Sequence, residues 1–476
     1  MVAAPALGAM AKSVPARRAV TAAEAFMGET PMFKAHPATP DTRQALGMLR
    51  KATSGGGTHA AAACGVSVSC NPMQPQAAPR VLILTASVGA GHVRAAEAVE
   101  LALKEIDPGA HVRNVDLMTC ATAVFRRMYS KWYLDLVSHA PHLLGYFYDL
   151  TDRAPSNSTR DTIRVMVEQA NLARLDPILN DPQGWDIVVN THFLPAEIIA
   201  RRRRKKKPTN VPRRFRVGEG PASASDVAPQ FTVVTDFDAH GLWVNDPTDH
   251  YFVATDEAAI SLGRWGVPRE RITISGIPVH PVFAKPLDAR AARAKHDLPQ
   301  DKPVILLLAG GFGVGPVETL FDAAMHVKRP IHLAVVCGKN DDLKARLQRA
   351  AKAAPHTSTI IGFTREMDEL MAAATLVVSK PGGLTTSEIL ARGAAMAIVN
   401  PIPGQESRNS DYLLENTAAI KINSAAVLPH KLNQLLANES RLAALRQNAK
   451  ALGRPRAAYD VARAVLAAAG ASGRDA

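Results

Sequence analysis

Cysteine is scarce. The four in 476 residues, Cys64, Cys70, Cys120 and Cys337, form no CxxC pair. Thiols scattered this way exclude a disulfide framework and a cysteine-built zinc site, and they fit a reducing compartment. Long apolar runs are missing as well. No uncharged stretch reaches the roughly 18 residues that a membrane-spanning helix requires, so any membrane contact would be made by lying on the surface. The first 23 residues contain Lys12, Arg17 and Arg18 but no acid, a composition that fits an organelle transit peptide or an unstructured extension. Acid is in deficit throughout: 43 Asp+Glu face 56 Lys+Arg, for a net charge of +13. Such a balance suggests an anionic partner, whether a lipid surface, a nucleic acid or a phosphorylated substrate.

What is present begins with length. A chain of 476 residues exceeds one ordinary core and implies two or three domains. Residues 1–79 are rich in Ala, Pro, Gly, Ser and Thr without periodicity, and disorder is expected there. From residue 80 short apolar runs alternate with helical stretches. They are VLILT (81–85), DIVVN (186–190), FTVVT (231–235), HYFVAT (250–255), ITISG (272–276), VILLLAGG (304–311), IHLAVVCG (331–338), TIIGF (359–363), TLVVSK (375–380) and AMAIVN (395–400). Near-continuous Val/Ile/Leu runs between helices indicate parallel strands buried on both faces. About ten of them suggest two doubly wound α/β domains. The Pro-rich GIPVHPVFAKP (276–286) is the expected linker. The expected division is 80–283, with a basic insertion at 201–229, then 284–445, then a C-terminal helix and tail at 446–476.

In open α/β sheets ligands bind beyond the carboxyl ends of the strands, so the loops there matter most. The first is SVGAGHVRAA (87–96). Gly89 and Gly91 permit a tight turn and close approach to a ligand. The dinucleotide fingerprint, however, requires a small residue where Arg94 stands. His92 at the mouth of this loop is either a general base, with a pKa lowered by the helix start, or a surface histidine in a turn. In SKPGGLTTSEIL (379–390), Thr385 and Glu388 fit a capping box. Equally, Glu388 suits the two hydroxyls of a ribose while the Gly382 and Gly383 amides meet phosphate. AGGFGVGPVETL (309–320) offers another glycine-rich phosphate nest. In NPIPGQESRNSDYLLENTAAI (400–420), Gln405, Glu406 and Asn409 form a polar cluster suited to sugar hydroxyls.

Taken in order, ASVGAGHVRAAEAV, VVTDFDAHGLWV, GIPVHPVF, LLLAGGFGVGP and IGFTREMDELMAAATLVVSKPGGLTTSEILARGAAMAIVNPIPGQESRN resemble one family. It comprises the inverting UDP-sugar glycosyltransferases that include monogalactosyldiacylglycerol synthases, processive diacylglycerol glycosyltransferases and the lipid-II N-acetylglucosaminyl transferase. The resemblance spans roughly residues 80–440. It implies the GT-B fold, two facing Rossmann-like domains with a deep cleft, the first holding acceptor and the second UDP-sugar. It also implies that His92 is catalytic and that Glu388 binds ribose. Gly382, Gly383 and Thr385 would lie near the pyrophosphate, Gly362 and Phe363 would frame uracil, and Gln405, Glu406 and Asn409 would face the hexose or its phosphates. Gly89, Gly91, Gly311, Phe312, Lys380 and Pro381 complete the implied donor set. No metal or other cofactor is implied. The family's first loop often reads GGGH or GGTGGH, whereas the middle residue here is Ala90, and the segment after His192 carries a basic insertion.

The implied reaction is inverting transfer of a galactose or glucose to a lipid, diacylglycerol foremost; Asp236 and Asp238 in TDFDAH either assist His92 or orient the acceptor, or serve only in a cap or turn. The alternatives are N-acetylglucosaminyl transfer to another lipid-linked acceptor and a nucleotide-dependent oxidoreductase. Arg201, Arg202, Arg203, Arg204, Lys205, Lys206 and Lys207, with Arg213, Arg214 and Arg216, place ten positive charges before Glu219. On an anionic membrane each would contribute about 1 kcal/mol; the competing reading is a solvated loop. Residues 125–150, including Trp132, hold seven of the chain's 24 aromatics and suit either an interfacial patch or a core. The expected location is peripheral, on the cytoplasmic face of a bacterial inner membrane, or on an organelle membrane if the N-terminal segment is a transit peptide. Nucleic acid is not an expected partner, because the basic run lacks interleaved aromatics.

Overall fold

The computed structural model describes residues 78–87, 89–123, 126–127, 173–204, 228–309 and 317–471, all within one compact unit, Pro75–Ala476. That unit contains two six-stranded parallel sheets. The first is ordered β2-β1-β3-β4-β5-β6, with β1 Arg80–Thr85, β2 His111–Asp116, β3 Ile187–Asn190, β4 Gln230–Val233, β5 His250–Val253 and β6 Ile272–Ile274. Its helices are α1 (Ala90–Ile106), α2 (Leu117–Cys120), α3 (Asp176–Leu179), α4 (Phe193–Arg204) and α5 (Asp256–Arg264). The second sheet is ordered β12-β11-β10-β7-β8-β9, with β7 Val304–Leu308, β8 His332–Val336, β9 Thr357–Ile361, β10 Leu376–Ser379, β11 Met396–Val399 and β12 Ala419–Ile422. Around it lie α6 (Ala289–Lys295), α7 (Val317–Ala324), α8 (Asp341–Ala351), α9 (Met367–Ala373), α10 (Gly383–Ala391), α11 (Gln405–Glu415), α12 (Leu428–Leu436) and α13 (Glu439–Leu452). The last helix is α14 (Ala457–Ala471). The GT-B type of architecture expected from the sequence is present in these two sheets.

The β1 run explains the layering. Successive strand residues point to opposite faces. Val81 and Ile83 accordingly pack with α1 and α14 through Val99, Leu103, Val461 and Val465. Leu82 and Leu84 pack on the other side with Leu117, Trp185, Leu194 and Ile199. Both faces are covered, so the strand has no polar alternation. β7 repeats the pattern, with Ile305 and Leu307 toward Leu320, Phe321 and Leu432, and Val304 and Leu306 toward Leu370, Ile389 and Leu390.

Two of the twelve strands, β2 and β12, are absent from the apolar runs read in the sequence. Each is an edge strand; HVRNVD carries the charges that a half-exposed edge tolerates, and AIKI, though mostly buried, is short and interrupted by Lys421. The Pro-rich stretch after β6 is no loose tether, because Ile277, Val279 and Phe283 are buried in the second half's core. The thiols of Cys120 and Cys337 are buried and free. The expectations for residues 1–77 and for the aromatic segment from 128 onward, including Trp132, fall outside the described residues.

Candidate functional site

Each sheet has one point where chain order reverses, and an open α/β sheet places its ligand crevice there. In the first sheet it lies between β1 and β3; in the second, between β7 and β10. The loops leaving β1 and β3 carry His92, Thr191 and His192. The loop leaving β10 carries Lys380 to Gly383. The loop leaving β7, with Gly311 and Phe312, lies outside the described residues.

Gly89, at φ 99°, turns the chain into α1, a backbone conformation that glycine adopts without steric cost. His92 consequently occupies the first helical turn rather than the turn before it. Its Nδ1 lies 3.1 Å from the carbonyl oxygen of Thr191 and 2.7 Å from the hydroxyl of Thr235, and the Thr191 hydroxyl donates back to the His92 carbonyl at 3.0 Å. A carbonyl only accepts. The neutral ring therefore carries its proton on Nδ1 and keeps its basic lone pair on Nε2. Burial lowers the His92 pKa to about 4, against a smaller raising effect from Thr191. The ring is neutral at physiological pH.

His192 and Trp243 frame His92. The two imidazoles meet edge to face at 4.5 Å, and the Trp243 ring, fully buried, is 6.3 Å from His92. His192 Nδ1 accepts from the Leu194 amide at 3.0 Å. Burial holds its pKa well below the usual value, and the charges of His92 and His240 push the same way. Asp236 is buried. Burial raises its pKa well above the usual carboxylate value, an effect opposed by Trp243 and reinforced by Asp238 and Glu406. The side chain that touches His92 is not Asp236 but its neighbour Thr235.

On the opposite sheet, α10 begins at Gly383 with Gly382 as its cap and no side-chain capping bond. Thr385 is thus inside the helix, and the capping-box reading of Glu388 fails. Glu388 is 1% exposed, and its Oε1 accepts from Arg94 Nη2 at 2.6 Å. Burial pushes its pKa up to about 7 despite the opposing Arg94 charge. Glu406 accepts from the Ile402 amide at 2.8 Å; burial raises its pKa, while that bond and Lys380 lower it. Asn409, 1% exposed, bridges the halves, accepting from the Phe237 amide at 3.1 Å and donating to the Pro381 carbonyl at 3.0 Å. Gly362 follows β9, and Phe363 comes next with 63% exposure, beneath the Lys339 ammonium at 5.5 Å.

One loop joins the two sets. After β4, the Thr235 hydroxyl meets His92, and a Cβ built on Gly383 would stand 2.3 Å from the Thr235 carbonyl oxygen. Phe237 is buried in the second half's core, and Asp238 pairs with Arg408 at 2.6 Å. Asp238, His240, Gln405, Arg408 and Asn409 enclose a cavity of about 10 Å³, room for roughly one water. The sequence reading missed Thr191, Thr235, His192, Trp243 and Arg94 as parts of this arrangement. For Thr191, His192 and Thr235 the signal is positional, since each sits just past a strand; Arg94 lies two residues after His92 in α1, and Trp243 lies in a short 3-10 turn between β4 and β5.

The basic run is partly internal. Arg201 pairs with Glu197, Arg202 with Asp176 and Arg203 with Asp249, and Arg204 donates to the Asp246 carbonyl. Lys205, Lys206 and Lys207 lie outside the described residues. Among the described residues, His296, Glu366 and Glu369 bring potential metal-ligand atoms within 4.8 Å of one another. Lys295 Nζ, at 2.8 Å from both glutamates, already pairs with both carboxylates of that cluster.

With this geometry in view, similarity to known proteins is informative. The model of the monogalactosyldiacylglycerol (MGDG) synthase family matches residues 92–213 and 224–279, and that of the glycosyltransferase family 28 C-terminal domain matches residues 317–463. A processive diacylglycerol beta-glucosyltransferase of Bacillus cytotoxicus is 30% identical over 397 residues, 82% of this chain and 93% of that protein. The protein of the same name from Bacillus licheniformis is 29% identical over 375 residues, 78% and 90% of the two chains. Among solved structures, Acinetobacter baumannii MurG aligns over 82% of this chain and 99% of its own, at 16% identity and a TM-score of 0.47, too distant to bear on function.

Proposed function

The chain belongs to the family of processive diacylglycerol beta-glucosyltransferases, and from that premise we propose that it moves a hexose from a UDP-sugar to a diacylglycerol-type lipid with inversion at the anomeric carbon. The observation that carries the reading is the single loop, Thr235 to Asp238, that touches His92 in one half and Gly383, Asn409 and Arg408 in the other. A base and a nucleotide-sugar site must be held together for direct displacement, and this loop ties them.

In the proposed reaction His92 Nε2 takes the proton of the acceptor hydroxyl. The hydroxyl oxygen bonds to the anomeric carbon as the bond to the β-phosphate oxygen breaks, and UDP departs with the electron pair. A neutral imidazole whose tautomer is set by Thr191 is ready to accept that proton without first losing one. Backbone amides at the start of α10 are suited to the negative charge that grows on the β-phosphate. Glu388 is suited to the ribose hydroxyls, which requires Arg94 to share or release its carboxylate. Gly362 and Phe363 offer uracil a stacking surface.

Among the described residues no helix is long and apolar enough to cross a membrane, and the lipid is proposed to be met at an anionic membrane surface. Because Arg201, Arg202 and Arg203 are spent on internal carboxylates, the attraction would fall mainly to Lys205, Lys206 and Lys207.

The test is an assay of the purified chain with UDP-glucose, UDP-galactose and UDP-N-acetylglucosamine against diacylglycerol in anionic vesicles. Release of UDP together with a glycosylated diacylglycerol from one of the first two donors is expected. Transfer only from UDP-N-acetylglucosamine, or no transfer to diacylglycerol with any donor, overturns the assignment. Replacing Lys205, Lys206 and Lys207 by Ser should reduce vesicle cosedimentation; unchanged cosedimentation removes these lysines as the anchor.

A further inference from the structure

Away from the loops described above, α6, the end of α9 and the turn after α10 surround a cavity of about 390 Å³. Its wall includes Arg290, Arg293, Arg392 and Arg446 and no carboxylate. Among the described residues, only Arg392 of these four is in an ion pair, with Asp368 at 2.8 Å.

The other guanidinium contacts are to neutral oxygens. Arg293 donates to the Ala373 carbonyl at 2.8 Å and the Thr375 hydroxyl at 3.1 Å. Arg446 donates to the Thr375 carbonyl at 2.8 Å and the Ala374 carbonyl at 3.3 Å. These bonds cap the C-terminal end of α9, and one cation there is ordinary helix chemistry. A second guanidinium on the next two carbonyls of the same turn is not, since like charges in a partly dry site oppose each other. Burial lowers the pKa of both, and the charge of Arg293 lowers that of Arg446 further. The Arg392 side chain is 7% exposed, yet its Nε is buried without a hydrogen-bond partner. A buried N–H left unmet costs free energy unless something else accepts from it.

We propose that this cavity is a binding site for a phosphate-bearing ligand, distinct from the nucleotide-sugar site. Guanidinium forks match phosphate oxygens in geometry as well as charge. The volume falls within the usual range for small-ligand sites and leaves space beyond one phosphate. The buried Met371 and the apolar Ala373, Ala374 and Ala394 in its wall suit an uncharged portion of the ligand. Arg392 caps the C-terminal end of α10, whose other end carries Gly383. The proposal does not rest on the glycosyl-transfer reading.

The test is titration calorimetry of the full chain with inorganic pyrophosphate in the presence of saturating UDP, which keeps pyrophosphate from any site that also binds UDP. One pyrophosphate per chain is expected. Arg290→Glu, on an exposed side chain, and Arg446→Gln should each weaken it about tenfold or more. Arg290→Glu covers the case in which loss of the α9 cap unfolds Arg446→Gln. Sedimentation with phosphatidate vesicles gives the source: binding to vesicles that Arg290→Glu reduces assigns the site to a lipid headgroup, whereas pyrophosphate binding alone assigns it to a soluble phosphate ester. No pyrophosphate binding in the presence of UDP together with Arg290-independent vesicle binding, or equal affinity in both variants, overturns the proposal.

Discussion

Because Thr191 offers the His92 ring a carbonyl oxygen, the chemistry proposed for this ring depends on two neighbours that are not themselves acids or bases. His92→Ala removes the base and should lower turnover about 10²–10⁴-fold with UDP affinity nearly intact; near-wild-type turnover in that variant would rule the histidine out. Thr235→Val keeps the side-chain volume and deletes the hydroxyl 2.7 Å from Nδ1. It should lower kcat about tenfold while leaving the donor KM within about twofold, the split expected when a residue holds a base without touching donor. The acid side of the pH profile should show two inflections. His92 has its pKa near 4, is protonated below it and loses its lone pair there. Glu388 has its pKa near 7, and below that value it is protonated and accepts hydroxyls poorly, so donor KM should fall as pH rises through about 7. Glu388→Gln should erase the upper inflection. Arg94→Ala removes the charge that lowers the Glu388 pKa and should move that inflection upward, leaving the lower one in place. An upper inflection that persists in Glu388→Gln belongs to another group.

The start of α10 and the loop after β4 touch without a side chain between them. A Cβ at Gly383 would lie 2.3 Å from the Thr235 carbonyl oxygen and 3.2 Å from Ile277 Cδ1, so Gly383→Ala must push one element off the other. Overpacking of this kind costs about 1–3 kcal/mol, and the thermal midpoint should drop by several degrees. Displacing Thr235 disturbs His92 too, and turnover should fall up to about 10²-fold. Gly382→Ala, whose Cβ would meet only Glu406 Oε1 at 3.8 Å, should leave the midpoint where it is; equal melting of the two variants would show that the close approach is unimportant. The same contact marks the boundary of what the sequence discloses. Strands with continuous apolar runs, such as β1 and β7, are legible because both faces are buried, and the glycine loops that follow them point to the switch points. β2 and β12 are illegible because an edge strand mixes charge with apolar residues. Arg94 and Glu388 are 294 residues apart, and Thr235 and His92 are 143 apart. No local periodicity reports pairings at such range: the order of strands in the first sheet brings Thr235 to His92, and the facing of two sheets brings Arg94 to Glu388.

The chain leaves its first half after β6, builds the second half, and returns through α14 to finish the first. Val461 and Val465, with Ala458 and Ala462, are fully buried against α1 and the first sheet. The first half therefore lacks part of its core until the C-terminal residues are in place. Burying a valine contributes about 1.5–3 kcal/mol, so the two valines account for roughly 3–6 kcal/mol of a stability that in ordinary proteins totals about 5–15 kcal/mol. Removing residues 457–476 should thus leave a protein that is largely insoluble or melts far below the full chain. Val461→Asp, which introduces a carboxylate into the same dry layer, should approach that loss by a single substitution. Following unfolding by circular dichroism and by tryptophan fluorescence should give one coincident transition for the full chain, because Phe237 and α14 each place residues of one half in the core of the other. A truncated chain that melts within a few degrees of the full one would mean that the first half is complete without α14 and that the two halves fold as independent bodies.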